Sequence, residues 1–213
     1  MEKYIDLLIK NKEWAKRMVE LDPNFFERLV NIQEPEYLWI GCSDSRVPPN
    51  EVTQTKPGEI FIHRNVANMV LHSDMNVMSV MQYAVEVLKV KHVIVCGHYN
   101  CGGVKAAITS HSYGLINKWL RSIKDVYRLY QSEIEAYESE DDRVNKLVEF
   151  NVIEQAYHVA ETSIVQKAWK ERNAPHIHGW VYDLRDGIIN PIFELPAHSK
   201  LPHKIYEFDD IVF

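Results

Sequence analysis

Apolar residues recur along the chain with two alternating periods, one helical and one typical of strands. Residues 4–21 carry apolar side chains at roughly helical spacing with charges between them, and a second short helix is predicted over 24–32, behind Pro23. The first 35 residues therefore predict an amphipathic helical arm. Its apolar stripe must cover either the core of this chain or another subunit.

Short apolar runs rich in strand-forming residues follow the arm. They cover residues 37–42, 59–63, 92–97 and 176–182, with a possible edge strand at 188–193. Helical patterns at 74–88, 115–130 and 143–169 separate them. This alternation predicts an α/β fold: a mostly parallel central β-sheet of about four parallel strands plus an antiparallel edge strand, flanked by helices.

The length of 213 residues fits one domain over 1–213, with the arm at 1–35, an α/β core at 36–194 and a tail at 195–213. A net charge of −6 without a cluster of basic residues argues against nucleic-acid partners. No apolar run reaches the length of a membrane span, and the first ten residues do not resemble a secretory signal. Three cysteines are too few for a disulfide framework, so we expect a reduced, cytoplasmic protein.

Chemically versatile side chains follow two of the predicted strands. Cys42, Asp44 and Arg46 come directly after the first strand, and alternation along an extended chain points them to one side. His98 and Cys101 follow the third strand and precede two glycines, which allow close backbone approach. Because open α/β sheets place ligand sites at the carboxyl ends of their strands, these side chains are expected to converge.

Two thiols and one imidazole favour zinc over magnesium or calcium, which prefer oxygen ligands. Asp44 could close the coordination sphere as a fourth ligand, or Arg46 could hold it away through a salt bridge and leave the position open for water. A catalytic zinc site, a structural zinc site and a site without metal all remain open at this point. Cys96 is expected to be a core residue, and His176 and His178 are expected to be structural.

Three sequence blocks at these positions resemble the β-class carbonic anhydrases: CSDSR at 42–46, HRNVAN at 63–68 and GHYNCGG at 97–103. The resemblance is strongest to the bacterial type II branch, whose activity bicarbonate represses. That branch carries a Trp before the first block, an Arg in the second and a Tyr on the fourth strand, which here are Trp39, Arg64 and Tyr182. The tail after the fifth strand departs from the family because proline interrupts it.

The resemblance implies one Zn2+ per chain, bound by Cys42, His98 and Cys101, with Asp44 as the fourth ligand of a closed, inactive form. In the open form Asp44 would pair with Arg46 and accept a hydrogen bond from zinc-bound hydroxide. The resemblance also implies a small apolar substrate pocket at Phe61, Val66, Tyr83 and Gly102, with some residues supplied across a dimer, and Gln33 as a hydrogen-bonding partner of substrate.

The implied reaction is the reversible hydration of CO2 to bicarbonate and a proton, in a homodimer or homotetramer. Trp39, Arg64 and Tyr182 would form a non-catalytic bicarbonate pocket that favours the closed form. Two alternatives remain: hydrolysis of CS2 or COS on the same scaffold, and a zinc-containing bicarbonate or pH sensor without catalysis.

Overall fold

The computed structural model of the chain describes residues 3–211, which fall into two compact units that divide between Glu34 and Pro35. No helix within this described range is long and apolar enough to cross a membrane. Whether the chain forms the single domain expected from its length stays a prediction.

The first unit is a pair of helices, α1 (Lys3–Leu21) and α2 (Phe25–Asn31). Trp14 holds them together through edge-on ring contacts with Phe25 and Phe26, at centroid distances of 6.2 and 5.7 Å. No residue of α1 is buried, so most of its apolar side chains face solvent. Both helices agree with the predicted arm.

The second unit is built on a five-stranded sheet in the order β2-β1-β3-β4-β5. The strands are β1 (Tyr37–Cys42), β2 (Ile60–Asn65), β3 (His92–His98), β4 (His176–Tyr182) and β5 (Ile189–Leu195). The first four run parallel, and β5 is antiparallel to β4. The predicted α/β fold with an antiparallel edge strand is therefore confirmed.

Helices fill the connections between these strands. They are α3 (Pro49–Thr53), α4 (Met75–Gln82), α5 (Gly102–Ala107), α6 (Asn117–Leu129), α7 (Gln131–Glu135), α8 (Glu140–Ala160) and α9 (Ser163–Glu171). The single helical pattern predicted over 143–169 is thus two helices. They separate at Thr162, whose hydroxyl accepts a hydrogen bond from the Val165 N–H and caps α9.

Helix α8 packs directly on β3 and β4, and two glycines of the sheet allow this close approach. A Cβ atom at Gly97 would lie 2.7 Å from a methyl group of Val152, and one at Gly179 would lie 3.0 Å from its other methyl group. Larger side chains at either position would push α8 off the sheet. The main apolar core lies on this face of the sheet, between the strands and α8.

The opposite face of the sheet carries a smaller apolar cluster made of Trp39, Ile94 and Cys96, with Trp180 and Tyr182 packed against it. Cys96 is 1% exposed, which agrees with its predicted place in the core. Burial raises the pKa of its thiol, so it stays protonated at neutral pH.

The tail after β5 packs against α9 rather than extending away. The side-chain amide of Gln166 donates to the carbonyl of Tyr206 at 2.8 Å and accepts from the N–H of Phe208 at 2.9 Å. Leu201 is buried in the same region. The last two residues of the apolar terminus, at 212–213, lie outside the described residues.

Candidate metal centre

Two neighbouring strands end side by side at this site. Strands β1 and β3 pair directly, so Cys42 at the end of β1 and His98 at the end of β3 lie together. Cys101 returns to the same point after a turn in which Asn100 adopts a left-handed φ of 56°, and the Asn100 N–H donates to the side chain of Asn145. The expected convergence of the three side chains is therefore observed.

The three ligand atoms lie within 4.8 Å of one another, and all three residues are buried. The sulfur atoms of Cys42 and Cys101 are 3.9 Å apart. The His98 Nε2 atom is buried without a hydrogen-bond partner, whereas its Nδ1 is 3.0 Å from the carbonyl oxygen of Tyr99. Donation from Nδ1 to that carbonyl places the lone pair of the ring on Nε2, where a metal would take it up.

This geometry fits zinc. Tetrahedral zinc with Zn–S bonds of about 2.3 Å requires a sulfur–sulfur distance of about 3.8 Å, close to the observed 3.9 Å. The unpartnered Nε2 atom supplies a third donor. Two sulfur atoms and an imidazole nitrogen are ligands that zinc prefers, whereas calcium and magnesium prefer oxygen.

The two thiols also differ sharply in acidity. The hydrogen bond with Cys101 lowers the pKa of the Cys42 thiol to about 4, and burial only partly opposes this. The same contact raises the pKa of Cys101. A divalent ion would hold both as thiolates, because a metal binds the deprotonated sulfur.

A carboxylate and a guanidinium stand beside the three ligands. The Nε and Nη2 atoms of Arg46 donate to the two oxygens of Asp44 at 2.9 and 2.7 Å, and the Arg46 backbone N–H donates to Asp44 Oδ1. These hydrogen bonds lower the pKa of Asp44. Its Oδ2 atom is 3.6 Å from the Nε2 of His98, so the carboxylate borders the metal position while Arg46 holds it.

Comparisons with known proteins match this arrangement to one family. A family model described as carbonic anhydrase matches residues 37–189, which is more than half of the chain. A carbonic anhydrase of Emericella nidulans is 51% identical over 92% of this chain and 86% of its own length. The chain belongs to the β-carbonic anhydrase family of enzymes.

Solved β-carbonic anhydrase structures agree with this assignment. The β-carbonic anhydrase CafA of Aspergillus fumigatus aligns with a TM-score of 0.86 and 37% identity, over 93% of both chains. One of two tetrameric β-carbonic anhydrases of Sordaria macrospora aligns with a TM-score of 0.87 and 35% identity, over 90% of this chain and 98% of that one. The bacterial type II branch is not confirmed, because these relatives are fungal.

The residues predicted to line a carbonic anhydrase substrate pocket fall in different places. Val66 packs against Gly103, next to the metal-binding turn, and a Cβ atom at Gly102 would meet no atom within 4 Å, so space opens there. Phe61 contacts Tyr83 at a ring-centroid distance of 5.8 Å. Phe61 lies four residues before the end of β2, about 13 Å along the strand from the carboxyl edge of the sheet.

Gln33, the remaining residue of the predicted pocket, is exposed and belongs to the first unit. Its role as a hydrogen-bonding partner of substrate stays a prediction.

The three residues predicted to bind bicarbonate share one face of the sheet. A Cβ atom at Gly41 would lie 2.3 Å from the indole nitrogen of Trp39, and Gly41 pairs in register with Arg64. Tyr182 borders the apolar cluster that contains Trp39. The guanidinium of Arg64 donates to the backbone carbonyls of Cys42 and Asp44, so it also positions the metal-binding segment.

One part of the site, the turn after β2, could not be predicted from the apolar periodicity of the sequence. The turn at Val66–Asn68 contains Ala67 and Asn68 with φ values of 63° and 50°, a conformation that costs non-glycine residues about 1–3 kcal/mol each. Trp119 donates to the carbonyl of Val66 and Asn151 donates to that of Ala67, which holds the turn. The backbone of Ala67 then donates to the sulfur of Cys42 and lowers the pKa of that thiol. Only the HRNVAN block pointed to this segment.

Proposed function

We propose that the chain catalyses the zinc-dependent reversible hydration of CO2 to bicarbonate and a proton. The observation that carries this proposal is the unpartnered Nε2 of His98, which faces two cysteine sulfurs beside the paired Asp44 and Arg46. A purely structural four-ligand site would not need a carboxylate held at its border by an arginine. The family membership supports the same reaction.

Cys42, His98 and Cys101 would hold one zinc ion, which when bound lowers the pKa of water to about 7 and so supplies a nucleophile at neutral pH. Arg46 keeps the carboxylate of Asp44 ionised and fixes its orientation. Asp44 can then accept a hydrogen bond from the attacking water and turn a lone pair of that water toward carbon. Asp44 and Arg46 are therefore the proposed catalytic pair, and release of Asp44 by Arg46 would close the site.

An apolar wall suits a substrate that has no charge. Val66 lies beside the metal-binding turn, and open space borders Gly102. Phe61 and Tyr83 form an aromatic contact away from the carboxyl edge of their own chain's sheet. We propose that a second copy of the chain presents this aromatic pair to the pocket, with Gln33 donating a hydrogen bond to substrate.

The three cysteines provide a matched test of the metal centre. We expect the purified chain to contain one zinc and to hydrate CO2 in stopped-flow assays, with activity falling steeply below neutral pH. Cys101→Ser should lose both zinc and activity, whereas Cys96→Ser should keep both, because Cys96 lies in the core. Stoichiometric zinc without hydration above about pH 8, where the nucleophile is formed, would contradict the proposal and favour a sensor.

We also propose that bicarbonate inhibits the enzyme at Trp39, Arg64 and Tyr182. Arg64 donates to the carbonyls of Cys42 and Asp44, so an anion that draws this guanidinium away would loosen the segment that carries both residues. Trp39 and Tyr182 could supply further hydrogen-bond donors from the same face of the sheet. The freed Asp44 would then close the metal site.

The double substitution Trp39→Phe with Tyr182→Phe tests this pocket. It should abolish inhibition by bicarbonate and shift the activity profile to lower pH, while zinc content stays at one per chain. Unchanged responses to bicarbonate and pH in a zinc-loaded double variant would rule the pocket out.

We also propose that the enzyme works in the cytoplasm. All three cysteines are free thiols, and thiols stay reduced in that compartment.

A further inference from the structure

Three histidines gather on one face of the sheet, far from the Cys–His–Cys group. His92 begins β3, and His176 and His178 lie in β4, where His176 pairs in register with His92. His178 pairs in register with Glu194 of the antiparallel edge strand. Since partners in register point to the same face of a sheet, the four side chains lie together.

The imidazoles of His92 and His178 already contact each other. The Nδ1 of His92 lies 3.0 Å from the Nε2 of His178. Two nitrogen ligands of one tetrahedral zinc ion, each about 2.0–2.1 Å from the metal, stand about 3.4 Å apart. Both nitrogens can bind one ion once the rings move apart by about 0.4 Å and turn so that both lone pairs point to it.

Neighbouring aromatic rings hold both imidazoles in place. Tyr37 stacks on His92 with a centroid distance of 5.4 Å and an interplanar angle of 21°. Trp180 lies 5.9 Å from the ring of His178. This packing restricts the rotamers open to the two rings, so less side-chain entropy is lost when they turn toward an ion.

The protonation state of the pair also favours a metal. Burial is the main cause that lowers the pKa of both His92 and His178; the ring of His176 further lowers the pKa of His92, and the ring of His92 that of His178. Both are therefore neutral at pH 7, and neutral imidazole is the form that binds metal ions. The present contact needs a proton on one of the two facing nitrogens, so metal binding requires a change of tautomer in one ring and no net loss of a proton.

We propose that His92 and His178 form a second binding site, for a divalent transition-metal ion such as Zn2+, at the amino end of β3. The ring of His176, at a centroid distance of 5.9 Å from His92, and the exposed carboxylate of Glu194 would have to rotate toward the ion to supply further ligands. Imidazole and carboxylate ligands suit zinc, copper and nickel.

The second site is separate from the first. His92 and His98 are the two ends of β3, so about 20 Å of strand lies between the two sites. An ion held by His92, His178 and Glu194 joins β3, β4 and the edge strand β5. Its expected effect is on the stability of the sheet, with no requirement for a change in CO2 hydration.

Titration of the one-zinc protein, without an affinity tag, with ZnCl2 in a calorimeter tests this proposal. We expect a second saturable equivalent that raises the melting temperature. His92→Gln and His178→Gln should each weaken this second equivalent by at least about tenfold and keep the first. His111→Gln, at an exposed histidine outside the cluster, should bind both equivalents like the original chain.

Cys101→Ser separates the two sites, because it should lose the first equivalent and keep the second. Zinc content and circular dichroism of each variant show whether it has folded. Two results would overturn the proposal: a titration of the original chain that ends at one equivalent, or a second equivalent that survives in both His92→Gln and His178→Gln.

Discussion

At the scale of single residues, the positions of the metal ligands could be predicted but their electronic state could not. Cys42 ends the first predicted strand and Cys101 follows the third, whereas Cys96 stands within an apolar strand pattern, which was enough to divide the three cysteines. The tautomer of His98 depends on the backbone carbonyl of Tyr99. A backbone carbonyl leaves no signature in the residue pattern, so only the structure shows which nitrogen faces the thiols.

Replacement of Arg46 should release Asp44 and close the metal site. Arg46→Gln removes the two side-chain hydrogen bonds that hold Asp44, whose Oδ2 lies 3.6 Å from His98 Nε2. The released carboxylate should take the open position at the metal. We expect CO2 hydration in stopped-flow assays to fall by about 100-fold or more, while zinc content stays at one per chain.

The chain contains a matched control for this substitution. Arg185 makes the same contacts with Asp183, with its Nη2 atom 2.7 Å from Oδ2 and its backbone N–H donating to Oδ1. Arg185→Gln should leave most of the activity intact. Equal losses in the two variants would mean that the Asp-X-Arg turns act only by stabilising the fold.

At the scale of elements, apolar periodicity located every strand within a few residues because strand and helix periods differ strongly. It could not place the break between α8 and α9, since apolar spacing continues through Thr162. Apolar periodicity also does not show why position 97 must be a glycine. Gly97 belongs to a metal-site block of the sequence. In the structure its missing side chain lets Val152 of α8 pack against the strand, because a Cβ atom there would lie 2.7 Å from a Val152 methyl group.

The contact between Gly97 and Val152 gives a prediction for the packing of α8. Gly97→Ala should destabilise the chain by about 1–3 kcal/mol through overpacking. Val152→Ala removes the methyl group that the new Cβ would meet, so the double variant should be more stable than the sum of the two single effects by at least about 0.5 kcal/mol. Urea unfolding of the four proteins measures this coupling.

Gly102→Ala is the control for packing, because a Cβ atom there meets nothing within 4 Å. Its stability should stay within about 0.5 kcal/mol of the original. Strict additivity of Gly97→Ala and Val152→Ala would show that α8 can shift freely on the sheet.

At the scale of the whole molecule, the first unit leaves apolar surface without cover. Leu7 and Leu8 of α1 are 66% and 61% exposed, in a helix with no buried residue. A second copy of the chain is the proposed cover, and the Sordaria macrospora relative is described as tetrameric. Leu7→Ser with Leu8→Ser should therefore lower the assembly mass measured by light scattering. Leu129→Ser, which changes a 64% exposed leucine of α6, should leave it unchanged.

The stability of the whole chain should also depend on pH through the partly buried His158. Burial is the main cause that lowers the pKa of His158 below 6.5, helped by the neighbouring His72, while donation from Nδ1 to the carbonyl of Val70 partly opposes this shift. The folded chain therefore binds fewer protons at this position than the unfolded chain does. Stability is then complete above about pH 6.5 and falls as the pH drops below that value toward the folded pKa.

His158→Gln removes this titration and keeps a side-chain donor near Val70. We expect the melting temperature of the original chain to fall more between pH 7 and pH 5 than that of the variant, with both proteins measured at the same zinc occupancy so that metal loss cancels. His111→Gln, at an exposed histidine, should follow the original chain. An equal fall in melting temperature in the original chain and in His158→Gln would show that other groups cause the acid sensitivity. His92 and His178 would then be tested, because burial lowers the pKa of both.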